Sequence, residues 1–283
     1  MAGRVCLVTG ATSGIGRATA AALAHAGATL IVHGRDREKT ARLLEELMSA
    51  SGNENIHWLQ ADFASLAEVH GLAVQLRERF GALHVLINNA GVLTDRRQVS
   101  ADGYELTFAV NHLAPFLLSL LVLDLLRASA PARIAFNSSS AMGSAHLDFS
   151  DLQMERTFDG WTAYANTKLA NMLVSNLLAE KLAGSGVVSN SFCPGLIDTN
   201  LLTGNRDFGA DRIARMRPMM RAAEDGAITQ IFLASAPAAA VMTGQFFLKS
   251  HGSGTTPVSI HWDRDVAERL WRVSQDCVAP WLG

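Results

Sequence analysis

The sequence predicts an α/β fold: a single doubly wound domain, residues 1–283, built on a seven-stranded parallel sheet. Three observations carry this expectation. Short β-branched or apolar runs alternate with longer segments of helical period, the signature of successive βα units. A glycine-rich turn joins the first such run to the first helical segment. No Pro/Gly/Ser linker, internal repeat or low-complexity tract divides the 283 residues.

The strands are expected at 5–9, 29–33, 56–60, 85–88, 133–137, 187–192 and 244–248. Between them the period changes to that of helices, whose right-handed crossovers return the chain to the sheet. In the third helix Leu66, Val69, Ala73, Leu76 and Phe80 form one strip facing the sheet, with Asp62 or Ser65 as the cap. The helix that follows the fifth strand carries Leu169, Leu173 and Leu177 as its oily row. That helix and the one at 102–126 are apolar on more than one face, which suits a homodimer unless segment 140–160 covers a face. Segments 140–160 and 201–222 interrupt the alternation just past strand carboxyl ends, where open α/β sheets bind ligands, so both are expected to shape a substrate pocket. Met216, Met219 and Met220 either line that pocket or simply pack.

Bulk properties exclude several classes of function. With 49% hydrophobic and 18% charged residues the chain can bury a core, and disorder is excluded. A net charge of −2 with both signs interspersed gives no footprint for nucleic acid or an anionic membrane. Cys6, Cys193 and Cys277 are odd in number and far apart, against a disulfide framework or zinc site. No signal peptide is visible, and the longest oily stretch, 116–126, is too short to cross a bilayer. The expected location is cytoplasmic. None of the nine histidines has metal-ligand spacing, so no metal is expected.

Chemistry concentrates past the strand ends. Thr9-Gly10-Ala-Thr-Ser13-Gly14-Ile15-Gly16 leaves the first strand and opens the first helix. Gly10 permits a tight turn, Gly14 lets the backbone approach a pyrophosphate, and Gly16 lets the helix pack on the sheet. Ser13 and Ile15 lie where the helix N-terminus presents amide donors. An ordinary strand-to-helix turn is the alternative. At the tip of the second strand, where an acid would bind the ribose of NAD, stand Gly34 and then Arg35, whose planar fork suits a 2′-phosphate. NADP(H) is therefore expected; the other reading leaves Arg35 solvated with Asp36 on the ribose, although Asp36 more naturally begins a helix. Asp62 and Phe63 after the third strand, and Asn88, Ala90 and Gly91 after the fourth, complete the cofactor-facing set. Each taken singly is also ordinary turn chemistry.

The catalytic candidates are Ser139, Tyr164 and Lys168, with Asn111 in support. Tyr164 and Lys168 are i and i+4 on one helix face, so an ammonium is expected to favour the phenolate and bring the hydroxyl toward a working acid/base range. Ser139 would hold the substrate oxygen while Tyr164 gives or takes the proton and a hydride passes at carbon.

In their order, Thr9-Gly10-x-x-x-Gly14-x-Gly16, Asn88-Asn-Ala-Gly91, Asn111, Ser139, Tyr164-x-x-x-Lys168 and Pro194-Gly195 resemble the short-chain dehydrogenase/reductase family over nearly the whole chain. Asn111-His-Leu, Asp151-Leu-Gln, Tyr164-Ala-Asn-Thr-Lys168-Leu-Ala-Asn171 and Arg269-Leu-Trp-Arg-Val-Ser274 look most like its retinol dehydrogenase and WW-domain oxidoreductase branch. The resemblance implies a Rossmann sheet of seven parallel strands and a tetrad of Asn111, Ser139, Tyr164 and Lys168. It implies that Asn111 holds a water linking Lys168 to solvent, and that Ile197 and Thr199, past Pro194 and Gly195, meet the nicotinamide carboxamide. This chain departs from that branch in having Cys193 before Pro194, Thr167 before Lys168 and no N-terminal anchor.

The function expected is hydride transfer between NADP(H) and a carbonyl or alcohol carbon, in a ketone or aldehyde reductase for a bulky apolar, polyketide-like substrate. A retinol- or steroid-type alcohol dehydrogenase and a non-catalytic NADP(H)-sensing protein are the alternatives.

Overall fold

The computed structural model describes residues 1–201, 210–249 and 255–283. Its strands are β1 (Val5–Val8), β2 (Thr29–Gly34), β3 (Ile56–Gln60), β4 (Val85–Asn88), β5 (Ala132–Asn137), β6 (Val187–Cys193), β7 (Phe246–Lys249) and β8 (Thr255–Val258). They form one sheet in the order β3-β2-β1-β4-β5-β6-β7-β8. The seven expected strands are all present and parallel, but an eighth joins β7 antiparallel and corrects the count. Its sequence, Thr-Thr-Pro-Val, is short, mostly exposed and carries a proline, which a sheet tolerates at an edge.

Successive strand residues face opposite sides of the sheet. Leu7 packs with Ile31, Leu86 and Phe136, whereas Cys6 and Val8 pack with Leu30, Val32 and Ile87. Helices Leu66–Arg79, Ala114–Leu121, Gly160–Lys181 and Arg264–Val278 cover the first face; Gly14–His25, Arg37–Ser51 and Ala223–Ser235 cover the second. Burial on both faces explains why the strands are apolar runs with no alternation.

The helix Leu66–Arg79 buries Leu66, Val69, Ala73 and Leu76, with Leu72 beside them. Ser65 rather than Asp62 is its cap, the hydroxyl accepting from Glu68 N at 3.3 Å. Much of the apolar surface that suggested a homodimer is buried inside the chain, while Leu120, Leu123, Leu125 and Leu169 are only half-buried. Trp271 of the C-terminal helix meets Phe116 edge-on at 5.0 Å, and the Lys181 ammonium lies 5.0 Å from the Trp271 ring. Segment 140–160 adds a smaller cover, with the Arg269 guanidinium 4.4 Å over Phe149.

Among the described residues no helix is long and apolar enough to cross a membrane, and no cluster of His, Cys, Asp and Glu could hold a metal ion. The strand order reverses between β2-β1 and β4-β5, which opens a cleft at the carboxyl ends of β1 and β4.

Candidate active site

The glycine-rich turn forms one wall of this cleft. Gly10 and Gly14 have φ of +64° and +51°, in the left-handed region. A Cβ on Gly10 would lie 2.8 Å from the Ala90 Cα, and one on Gly16 would lie 2.3 Å from the Gly10 carbonyl oxygen. The turn is thus packed directly on the loop after β4, with Thr199 beside Gly14 on its other side. Ser13 is the exposed N-cap of helix Gly14–His25, and its hydroxyl makes no capping bond. Ile15 and Ile197 converge on Gly226.

The two asparagines after Ile87, of which Asn88 is the one expected on the cofactor side, turn to opposite faces. Asn88 is buried and donates to the Ser119 hydroxyl at 2.9 Å. Asn89, pointing the other way, donates to the carbonyls of Thr9 at 2.9 Å and Gly10 at 3.3 Å, and accepts from Gln230 at 2.8 Å. Alternation at a strand end turns neighbours to opposite faces, so a one-residue step changes the role.

At the tip of β2, a Cβ on Gly34 would lie 2.5 Å from Thr12 Cγ2 and 2.7 Å from Thr40 Oγ1, leaving no room for a carboxylate. Arg35 beside it is exposed, and Asp36 caps the next helix by accepting from Lys39 N at 3.0 Å. Asp62 spends Oδ1 on Ala64 N at 2.9 Å. Phe63 is buried, its ring stacked on His33 at 4.2 Å, so its side chain lies beneath the cleft floor.

The catalytic candidates come together. The Ser139 side chain lies beside the Tyr164 hydroxyl, close enough to favour its ionisation, and accepts from Ala141 N at 3.1 Å. The Lys168 amine is buried, 5.1 Å from the Tyr164 ring centroid, and donates to Asn137 O at 3.2 Å. Gly91 is exposed at the cleft, and a Cβ there would lie 3.8 Å from the Lys168 amine. Burial pushes the Tyr164 hydroxyl above its ordinary range, with Ser139 acting in the opposite direction, and lowers Lys168 to about 8. Sequence spacing brings the two backbones together, but both groups lose water in the same cleft and the amine is bonded to a carbonyl.

Asn111 lies in a π-turn, Ala109–Leu113, in which Ala114 N bonds Ala109 O. Pro115, four residues on, has no N–H, so the Asn111 carbonyl loses its α-helical donor. Asn171 supplies one, donating to Asn111 O at 2.9 Å and to Asn137 O at 3.0 Å. The Asn111 side chain is committed as well, accepting from Val92 N at 2.7 Å and donating to Val92 O and Thr167 Oγ1. Asn171 is held in turn by His112, which burial keeps neutral by lowering it to about 4. His112 Nδ1 faces Asn171 Oδ1 at 3.4 Å and Nε2 faces Ser274 Oγ at 2.7 Å.

Segment 140–160 is fastened by its own charges, Arg156 pairing with Asp148 at 2.6 Å and Asp151 at 3.1 Å. Gly160 packs so closely that a Cβ would lie 1.9 Å from the Thr94 carbonyl oxygen. Trp161, one turn before Tyr164, has its ring centroid 5.9 Å from the tyrosine ring. Cys193, buried beneath the site, accepts from Ser140 N at 3.3 Å. Past it, Gly195 turns at φ +93° and Ile197 bridges to Arg221. Residues 202–209 of the second pocket-shaping segment lie outside the described residues; within the rest of it Met219 is 63% exposed.

The profile of the short chain dehydrogenase family matches residues 4–208. Retinol dehydrogenase 14 of Mus musculus is 36% identical over 293 residues, spanning 97% of this chain and 86% of that protein. An uncharacterized protein from Mycobacterium Paratuberculosis superposes with a TM-score of 0.79 at 28% identity, over 98% of this chain and 94% of that one. The Pseudomonas aeruginosa RhlG/NADP active-site complex superposes with a TM-score of 0.71 at 30% identity, over 89% and 97%. These relatives span nearly the whole chain. The chain is an oxidoreductase of the short-chain dehydrogenase/reductase family, whose members bind a nicotinamide cofactor, and it lies near the retinol dehydrogenase branch.

Proposed function

We propose that the chain is an NADP(H)-dependent ketone or aldehyde reductase in which Tyr164 is the proton donor. The observation that carries this reading is the convergence of three side chains: the Lys168 amine lies 5.1 Å from the Tyr164 ring centroid, and Ser139 stands beside the Tyr164 hydroxyl. A protonated phenol is what carbonyl reduction needs, because the oxygen of the reacting carbonyl gains negative charge as its carbon is reduced. NADP(H), when bound, supplies the hydride. Ser139 hydrogen-bonds the carbonyl oxygen, Tyr164 gives it a proton, and Lys168 stabilises the charge left on the tyrosine.

The residues fit a phosphorylated dinucleotide. Ser13 and the helix N-terminus face the pyrophosphate, Gly10, Ala90 and Gly91 let it run close to the backbone, and Asp62 lies toward the adenine. Arg35 beside the crowded Gly34 favours the 2′-phosphate, and NADP is the nucleotide named with the RhlG structure. Pro194, Gly195, Ile197 and Thr199 cover the nicotinamide end. Trp161, whose ring lies 5.9 Å from that of Tyr164, gives the substrate side an aromatic edge, which suits a bulky apolar, polyketide-like substrate.

The test is loss of NADPH absorbance against a panel of aromatic and aliphatic carbonyls. Tyr164→Phe should lower turnover at least about a hundredfold while leaving NADPH binding intact. Unchanged turnover in Tyr164→Phe sinks the proposal. The similarity to retinol dehydrogenase 14 favours a second reading, a retinol- or steroid-type alcohol dehydrogenase. That reading gains if retinol and NADP+ react faster than any carbonyl does with NADPH. A sensing protein without turnover is the outcome if nucleotide binds and no substrate reacts.

A further inference from the structure

We infer that His33 is a positioning residue for nucleotide binding, a strut that fixes the Gly10 amide and the loop after β3 relative to each other. The inference rests on the nucleotide reading above. His33 is 3% exposed near the end of β2, a position that an aliphatic residue would fill without desolvating a polar ring. Its two ring nitrogens instead meet two backbone groups from different loops. Nδ1 accepts from Gly10 N at 3.2 Å, and Nε2 donates to Ala61 O at 3.0 Å. The ring also lies on Phe63 at 4.2 Å with an interplanar angle of 18°. These contacts fix the tautomer, because Nδ1 accepts an N–H only when it carries no proton.

The consequence concerns the turn. A Cβ on Gly10 would lie 2.8 Å from the Ala90 Cα, so little space separates the turn from the loop after β4, and on this turn the Gly10 amide is given the His33 ring nitrogen as its acceptor. Remove that acceptor and a buried N–H is orphaned, and the turn rotates to satisfy it. The loop that carries Asp62 is tied to the same ring through Ala61, so the side-chain link between the two nucleotide-facing walls is lost, while the backbone bond from Ala11 N to His33 O at 3.0 Å keeps the turn on β2.

Two substitutions separate this role from simple packing. His33→Phe keeps an aromatic ring on Phe63 but has no acceptor for Gly10. His33→Asn gives up the ring yet places Oδ1 near the old Nδ1 position. Equilibrium fluorescence titration with NADPH should give a Kd about tenfold higher for His33→Phe, the effect of one orphaned amide. His33→Asn should stay within about threefold of the unsubstituted chain even if its thermal midpoint is the lower of the two. The kcat of both should stay within about twofold, with the change in KM. A folded His33→Phe that binds NADPH as tightly as the unsubstituted chain overturns the inference, and so does weaker binding by His33→Asn than by His33→Phe. If the unsubstituted chain binds neither NADPH nor NADH, the nucleotide reading falls with it; normal binding with unaffected variants overturns the strut alone.

Discussion

Lys168→Met should make the protein more stable while abolishing turnover. The amine is 1% exposed, and burial lowers it from its ordinary 10.5 to about 8, with Cys193 acting weakly in the other direction. A difference of that size penalises the folded ammonium by roughly 3 kcal/mol relative to the unfolded chain. Its bond to Asn137 O, at 3.2 Å, is already contained in that balance. Methionine keeps most of the apolar stem and removes the charge, but it leaves the Asn137 carbonyl one donor poorer. The net gain expected at pH 7 is therefore about 1–3 kcal/mol.

The pH dependence fixes the cause. Below about 8 the amine is charged in both states and the full penalty is present. Between about 8 and 10.5 the folded amine is neutral while the unfolded one still binds a proton, so the stability of the unsubstituted chain rises with pH. Above 10.5 the penalty is gone. Urea unfolding of both proteins across this range should show a gap that is widest below pH 8 and closes toward 10.5. A Lys168→Met protein that is less stable at pH 7, or a gap that does not change with pH, would refute the reasoning.

Arg35→Ala should raise the Kd for NADPH about tenfold or more and leave NADH binding nearly unchanged, since a 2′-phosphate is what the guanidinium has to recognise. Equal losses for both nucleotides would remove Arg35 from cofactor discrimination. Gly160→Ala should lower stability by about 1–3 kcal/mol, because its Cβ would fall 1.9 Å from backbone oxygen at Thr94 and something must shift. Turnover should fall with it, as the same helix carries Tyr164 one turn on; an unchanged thermal midpoint would show that the close approach is not fixed.

What the sequence made legible is what is local. The glycine-rich turn, the Tyr164-x-x-x-Lys168 pair and the apolar runs each declare themselves within a few residues, and the chain places them as their spacing requires. Strand β8 escaped because an exposed edge segment with Pro257 has no apolar run to read. His33, Asn89 and Asn171 escaped for a different reason. Each looks like an ordinary strand or helix residue until its partners arrive from Gly10, Gln230 and Asn111, and no spacing rule reaches that far. Burial shifts both Tyr164 and Lys168, and proximity along a helix does not declare that effect. Yet Asn171 left one trace. A carbonyl four residues before a proline has lost its helical donor, and when the helix is buried a polar side chain from a neighbouring element must supply it. Pro115 marks Asn111 O as that carbonyl, and Asn171, three residues beyond Lys168, is the side chain that meets it.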